Sequence, residues 1–278
     1  MGQIIAVANQ KGGVAKTTTV HALGTAWADR GKKVLLVDLD PQASLTWAAG
    51  IDPGAIETSL HDVLLKRNKA ADVIIETDFA PLPERPGRGK GTTATSGTAK
   101  GGADKGGLLH LLPSTIDLAG AELHLLTKTG REYGLRKALS KVADRYDVVL
   151  IDCPPSLGIL TINGLTAAQQ VVIPLQCESL GQRGVGQLLE TIEDVRDYTN
   201  PDLEVLGVIA TLFDGRTRLA NEVVASVKET FDLDVLEPPV PKSVKVAEAP
   251  GHGQSVLHYA PNSKSAVAYR ALAAKLDR

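Results

Sequence analysis

Five short runs of the chain, Ile4–Ala8, Val34–Val37, Val148–Ile151, Val171–Ile173 and Val205–Ala210, are apolar without a break. A strand with one wet face alternates apolar and polar residues. A run lacking that alternation is buried on both faces, which is the signature of a parallel sheet covered by helices on either side. Between the first two runs lies Thr17–Arg30. Val20, Leu23 and Trp27 share one helical face there, and Gly31 stands at the position of a C-terminal cap. Strand, helix and strand make a βαβ unit, for which the crossover is expected to be right-handed. The pattern predicts one α/β domain over residues 1–278, a doubly wound, mostly parallel sheet with helices on both faces. A chain of 278 residues, 43% of them hydrophobic, can bury such a core.

One segment departs from the pattern. Pro83–Gly107 contains no large apolar residue and is dominated by Gly, Thr, Ala and Lys, so it cannot repay its ordering entropy. It is expected to be a flexible, low-complexity insertion at 83–107. Its five cations, Arg85, Arg88, Lys90, Lys100 and Lys105, outnumber Glu84 and Asp104. Two readings stay open: a basic arm that touches DNA phosphates or a partner, or a tolerated insertion kept soluble by charge.

Several classes fall away. The net charge of −2 supplies no overall basic field, so any DNA binding needs a local patch. Cys153 and Cys177 stand alone, without C-x-x-C spacing, which argues against a disulfide scaffold, a zinc site or a cluster ligand set. The start has no basic segment followed by an apolar one, and Ala6 breaks a myristoylation pattern. No apolar run approaches the roughly 20 residues of a membrane span. The six histidines show no i, i+4 pairing, and no G-x-S-x-G elbow is present. A cytoplasmic protein is expected.

The chemistry is carried by Lys11-Gly12-Gly13-Val14-Ala15-Lys16-Thr17-Thr18, between the first strand and the first helix. That placement aims backbone N–H groups and a helix N-terminus at phosphate. Gly12 and Gly13 permit close approach, Lys16 would reach the β- and γ-phosphates, the Thr17 hydroxyl would bind Mg²⁺, and Thr18 would add a phosphate contact. Against G-x-x-x-x-G-K-[ST] the loop is a poor match, because Gln10 and Ala15 replace the framing glycines. A Cβ at residue 15 is affordable where φ is negative, and Ala15 is expected to keep it so. Two further strand ends are acidic: Val34-Leu35-Leu36-Val37-Asp38-Leu39-Asp40-Pro41-Gln42 and Asp147-Val148-Val149-Leu150-Ile151-Asp152-Cys153-Pro154-Pro155-Ser156. Ligands of open α/β sheets bind at such carboxyl ends.

These three motifs, in this order, resemble those of ParA/Soj-type partition ATPases, a P-loop NTPase family whose deviant Walker A loop carries a second lysine, here Lys11. The resemblance extends through Pro113–Glu122, Ile173–Glu178, Thr211–Thr217 and Val240–Pro250. It implies ATP and ADP as ligands with Mg²⁺, the ion held by Thr17 and, through water, by Asp152. It also implies a catalytic set of Lys11, Lys16 and Asp40, in which Asp40 positions the attacking water and Lys11 reaches the partner's ATP across a homodimer. A second cation at the phosphates would offset charge growing in the transition state. By the same similarity Pro241 and Ser243 lie near the adenine, with Ser243 standing where the family usually has Asn. Nonspecific DNA is expected on Arg216 and Lys245, with Arg218 and Lys242 beside them, and a ParB-like activator should stimulate otherwise slow hydrolysis. The implied role is segregation of chromosome or plasmid DNA by a cytoplasmic, nucleoid-associated switch. A MinD-like membrane-positioning ATPase is the alternative, together with a positioner of a protein cargo. The MinD-like reading needs a C-terminal amphipathic membrane helix, whereas Ala266–Arg278 is alanine-rich and is expected to pack onto the sheet. An iron–sulfur reductase on the same fold would need cysteine pairs that the chain lacks.

Overall fold

The computed structural model describes residues 2–77, 107–177 and 181–277, so the insertion expected at 83–107 lies, but for Gly107, outside the described residues. Among the described residues there are eight strands: β1 (Gln3–Val7), β2 (Lys33–Asp38), β3 (Ile75–Glu76), β4 (Leu108–Leu112), β5 (Val148–Asp152), β6 (Gln170–Gln176), β7 (Glu204–Thr211) and β8 (Val235–Leu236). They form one sheet in the order β3-β4-β2-β5-β1-β6-β7-β8, parallel except for β3 against β4. Every apolar run read from the sequence falls in a strand, save that Ala8 lies one residue beyond β1. β5 lies between β1 and β2, so the first βαβ unit steps over a central strand.

The helices are α1 (Lys16–Ala28), α2 (Ser44–Ala48), α3 (Leu60–Leu64), α4 (Ala70–Val73), α5 (Leu118–Leu125) and α6 (Gly134–Leu139). They continue with α7 (Ile159–Ala167), α8 (Gly181–Tyr198), α9 (Arg218–Phe231), α10 (Val244–Glu248), α11 (Val256–Tyr259) and α12 (Lys264–Leu276). The strands feed two cores. Ile4, Ala6, Leu35 and Val37 point into the layer with α3–α9. Ile5, Val7, Val34 and Leu36 point into the layer with α1, α2 and α10–α12. The sheet is therefore covered on both faces, as the lack of alternation required.

α1 ends as its sequence implied. Gly31 adopts φ 87°, its N–H reaches the Ala28 carbonyl at 2.9 Å, and the Lys32 N–H reaches Trp27 at 3.1 Å, which closes a Schellman cap. The C-terminal helix α12 docks along α1, and its buried side joins the core that Ile5, Val7, Val34 and Leu36 of the sheet feed. Trp27 Nε1 donates to the Ala273 carbonyl at 2.9 Å, and the Thr19 and Tyr269 hydroxyls meet at 3.1 Å. Its apolar side, including Leu272 and Leu276, is buried.

Candidate functional site at the carboxyl edge of the sheet

Strand register builds the site. Val7 of β1 and Asp38 of β2 both stand opposite Asp152 of β5, so three strands end at one level with the phosphate loop directly beyond β1. Asn9 fixes the loop's entry. Its buried side chain donates to the Pro174 carbonyl at 2.7 Å and accepts from the Lys11 N–H at 3.0 Å. The loop's middle is tied to the end of β7, where the Thr211 hydroxyl donates to the Val14 carbonyl at 2.9 Å. On the other flank Gly184 of α8 sits so close that a Cβ there would stand 3.1 Å from Asn9 Oδ1. Gly12 and Gly13 are exposed, a Cβ added to either would meet nothing within 4 Å, and Gly13 has φ 75°. This side of the loop is where an anion can approach backbone N–H groups.

Ala15 contradicts the expectation of a negative φ. It adopts φ 64° and ψ 34°, the left-handed region, as the residue preceding α1. The turn requires that conformation to begin the helix, and the Ala15 carbonyl accepts from the Thr19 N–H at 2.9 Å. Loop geometry overrides the residue's own preference, at a cost of roughly 1–2 kcal/mol.

Lys16 is buried and donates from Nζ to the Lys11 carbonyl at 3.1 Å. Burial pulls its ammonium below the usual lysine range, against the pull of Asp152, Cys153 and Asp40 in the other direction. Thr17 donates from Oγ1 to Asp152 Oδ2 at 2.6 Å, while Asp152 Oδ1 is buried with no hydrogen-bond partner. Burial, reinforced by Asp38, drives the Asp152 carboxyl well above the ordinary carboxylate range. An orphaned carboxylate oxygen beside a hydroxyl is a hard-oxygen donor pair, and it fits Mg²⁺ completed by phosphate oxygens and water. Among the described residues no cluster of three or more His, Cys, Asp or Glu could hold a metal unaided. Thr18 follows in the first turn of α1, half-buried.

Asp38 and Asp40 have different surroundings. Asp38 is fully buried, accepts from the Thr46 N–H (2.8 Å), the Thr46 hydroxyl (2.7 Å) and the Asp40 N–H (3.2 Å), and is pushed up to about 6 by burial. Asp40 is half-buried in the following turn, where its Oδ1 accepts from the Gln42 N–H at 2.9 Å. Ser114 closes the network: its N–H donates to Thr46 Oγ1 at 3.0 Å and its hydroxyl to the Asp40 carbonyl at 2.8 Å. Asp38 thus holds the turn that presents Asp40. Sequence reasoning missed the parts of Asn9, Thr46 and Gly184, although Ser114 lay in a motif already singled out.

The remaining candidates lie farther along the edge. Pro241 bridges Phe213 beside the end of β7, and its carbonyl accepts from the Ser265 hydroxyl at 3.0 Å. Ser243 caps α10, its hydroxyl accepting the Lys245 N–H at 3.2 Å. The four surface cations are exposed, and three carry their own carboxylate. Arg216 makes two bonds to Asp214 (2.9 and 2.8 Å), Arg218 pairs with Glu222 (2.6 Å), and Lys245 pairs with Glu248 (2.8 Å). Lys242 has no ion pair among the described residues. Both cysteines are free and buried, and burial raises both thiols, that of Cys177 to about 11.

Known proteins share this architecture. A family model described as an AAA domain matches residues 2–84 and 101–205. The sporulation initiation inhibitor protein Soj of Bacillus subtilis is 42% identical over 273 residues, spanning 98% of this chain and 97% of that protein. The chromosome partitioning protein ParA of Myxococcus xanthus is 37% identical over 276 residues, spanning 99% and 88%. Cobyrinic acid a,c-diamide synthase of Mycobacterium smegmatis, crystallised with ADP and magnesium, superposes with a TM-score of 0.80 at 45% identity over 99% of this chain and 94% of that one. The septum site-determining protein MinD of Pyrococcus horikoshii, complexed with Mg-ADP, shares the fold at a TM-score of 0.73 and 24% identity, covering 100% and 97%.

Proposed function

The chain belongs to the ParA/Soj family of partition ATPases, and on that premise we propose that it is an ATP-switched dimer that carries DNA or a DNA-bound cargo. The observation that carries the reading is the buried Asp152, one oxygen on Thr17 and the other orphaned, at the foot of a two-lysine phosphate loop. Soj- and ParA-like relatives, and ADP with magnesium in the Mycobacterium smegmatis structure, support ATP as ligand. Gly12, Gly13 and the N–H groups through Thr18 wrap the phosphates, and Lys16 neutralises them from within the fold. Thr17 and Asp152 hold Mg²⁺, which supplies positive charge against the phosphate oxygens when bound. Asp40 orients the attacking water from the turn braced by Asp38, Thr46 and Ser114. Lys11 completes the site of a second copy. Ile116, 66% exposed two residues from the Ser114 that bonds the Asp40 carbonyl, offers apolar surface for that closure. Pro241 flanks the base, and Ser243 supports it through the cap of α10 rather than by direct contact.

The dimer's Arg216, Arg218, Lys242 and Lys245 then meet DNA without sequence preference. Each paired cation exchanges a carboxylate for a phosphate, so binding should weaken steeply with salt. A ParB-like activator speeds a turnover that is slow alone. No helix among the described residues is long and apolar enough to cross a membrane, and α12, which the MinD-like reading would lay on a membrane, is engaged on α1. The Mycobacterium smegmatis neighbour raises a second reading, ATP-driven amide formation. An amide synthase that draws ammonia from glutamine by thiol chemistry needs a reactive thiolate, and neither buried cysteine provides one. Hydrolysis is favoured. Steady-state ATP turnover with and without random-sequence duplex tests it: Asp40→Ala should lower turnover about 100-fold while ATP-dependent dimers persist in gel filtration. Turnover equal to the parent would remove Asp40 from the mechanism.

A further inference from the structure

A second basic surface lies away from the phosphate loop. A groove of about 740 Å³ runs between the α3–α4 turn and α6, and its rim carries Lys66, Arg67, Lys69, Lys137 and Lys141 against Asp72 alone. Arg67 has a loose contact with Asp62 at 3.8 Å, and the Lys137 ammonium lies 6.0 Å above the Tyr133 ring. The four lysines have no ion pair among the described residues. In the Arg216 patch three of four cations are ion-paired, whereas here Arg67 is the paired one of five among the described residues. Lys66 also adopts φ 60° at the end of α3, where its N–H reaches the Val63 carbonyl at 3.0 Å and the Arg67 N–H reaches Asp62 at 2.8 Å. Glycine takes that cap position without strain, so lysine there holds a cation on the rim at a backbone cost of roughly 1–2 kcal/mol.

We propose that this groove is a further contact for the phosphate backbone of duplex DNA, separate from the Arg216 patch. The identity of the polyanion rests on the DNA-binding reading above. The groove's character comes from its own residues. Its buried floor, Val63 and Leu64, has no polar group to orient a small ligand. Four of its five cations are exposed lysines, point charges that read no defined anion geometry, and the one guanidinium, Arg67, is held by Asp62. Cations on two facing walls over an apolar floor suit a repeating charge that slides and re-registers, as a nucleic-acid backbone does.

The test is fluorescence anisotropy of a random-sequence 30-bp duplex, a probe length of about three helical turns, titrated with full-length protein and ATP over a range of salt. Lys137→Glu with Lys141→Glu should weaken binding about tenfold and lower the log–log salt slope by about 1–2. Lys137→Gln with Lys141→Gln should do half as much, and both should keep parental ATP affinity, which certifies the fold. Arg216→Glu should add its own loss to theirs. A groove variant that binds duplex as tightly as the parent, with the same slope, overturns this inference alone. A parent that fails to bind duplex overturns the DNA reading beneath it. A variant that loses poly-glutamate but keeps duplex assigns the groove to an acidic protein segment and overturns the proposal as well.

Discussion

The charged groups at the carboxyl edge of the sheet and the cations on the outer surface are built on opposite plans. Lys16, Asp38 and Asp152 are buried and crowded, and Asp152 keeps one oxygen unpartnered, so burial shifts the titration of all three from that in water. Arg216, Arg218 and Lys245 are bathed in solvent and closely paired. Good geometry outside contributes little, because water screens each pair. Poor matching inside matters a great deal, because a buried charge is screened little and Asp152 keeps one oxygen without a partner. The first plan belongs to a site completed by ligand, and the second to a surface that exchanges partners.

The contrast can be broken at three places. The largest effect is expected inside. Lys16→Ala removes a buried ammonium at the phosphate loop and should weaken ATP binding about 100-fold, from charge-assisted bonds of about 1.5–3 kcal/mol each. Titration with a fluorescent ATP analogue measures it, and parental affinity would mean that Lys16 stands outside the site.

The second place is the pH response of the nucleotide-free protein. Asp38 is raised to about 6, so the stability it contributes is present below its unfolded value of about 3.9 and lost as pH rises through about 6. Asp152 acts in the same direction. His21 on α1 acts oppositely: burial, with His258 adding to it, lowers its imidazole to about 4. Its contribution is present above about 6.5 and lost as pH falls through about 4, a swing of about 3 kcal/mol. His21→Leu should therefore gain stability relative to the parent by about that amount between pH 6.5 and 4, as urea melts would read. Parallel curves for the two proteins would break the claim that buried groups set this response.

The smallest effect is outside. Arg218→Ala deletes a 2.6 Å ion pair with Glu222, yet should change unfolding free energy by less than about 0.5 kcal/mol. A loss above about 1 kcal/mol would erase the distinction between the two plans.

How much was legible in the chain follows the same division. The five long strands announced themselves because burial on both faces leaves an unbroken apolar run. β3 and β8, two residues each, are too short to leave a pattern, and β4 adjoins a Gly- and Lys-rich stretch that masks its start. The loop, Asp40 and Asp152 were readable as motifs. The bracing of Asp40 was not, since Thr46 turns back on Asp38 from α2 and Ser114 joins them only because β4 lies beside β2. The ion pairs of Arg218 and Lys245, at i+4 and i+3 spacing, did lie open in the sequence and were not drawn from it. Ala15 went wrong because residue preference was set against a turn whose demands become visible only in three dimensions.

That alanine has a consequence for recognition. Glycine at residue 15 would let the free loop wander among many shapes, each to be given up when phosphate arrives. A methyl group narrows that search. Pinned at Lys11 by Asn9 and at Val14 by Thr211, the loop waits in few conformations, so a part of its strain, and not the whole, is offset by a smaller loss of disorder on binding. Tightness toward phosphate is in this way written partly into what the empty-handed loop is forbidden to do.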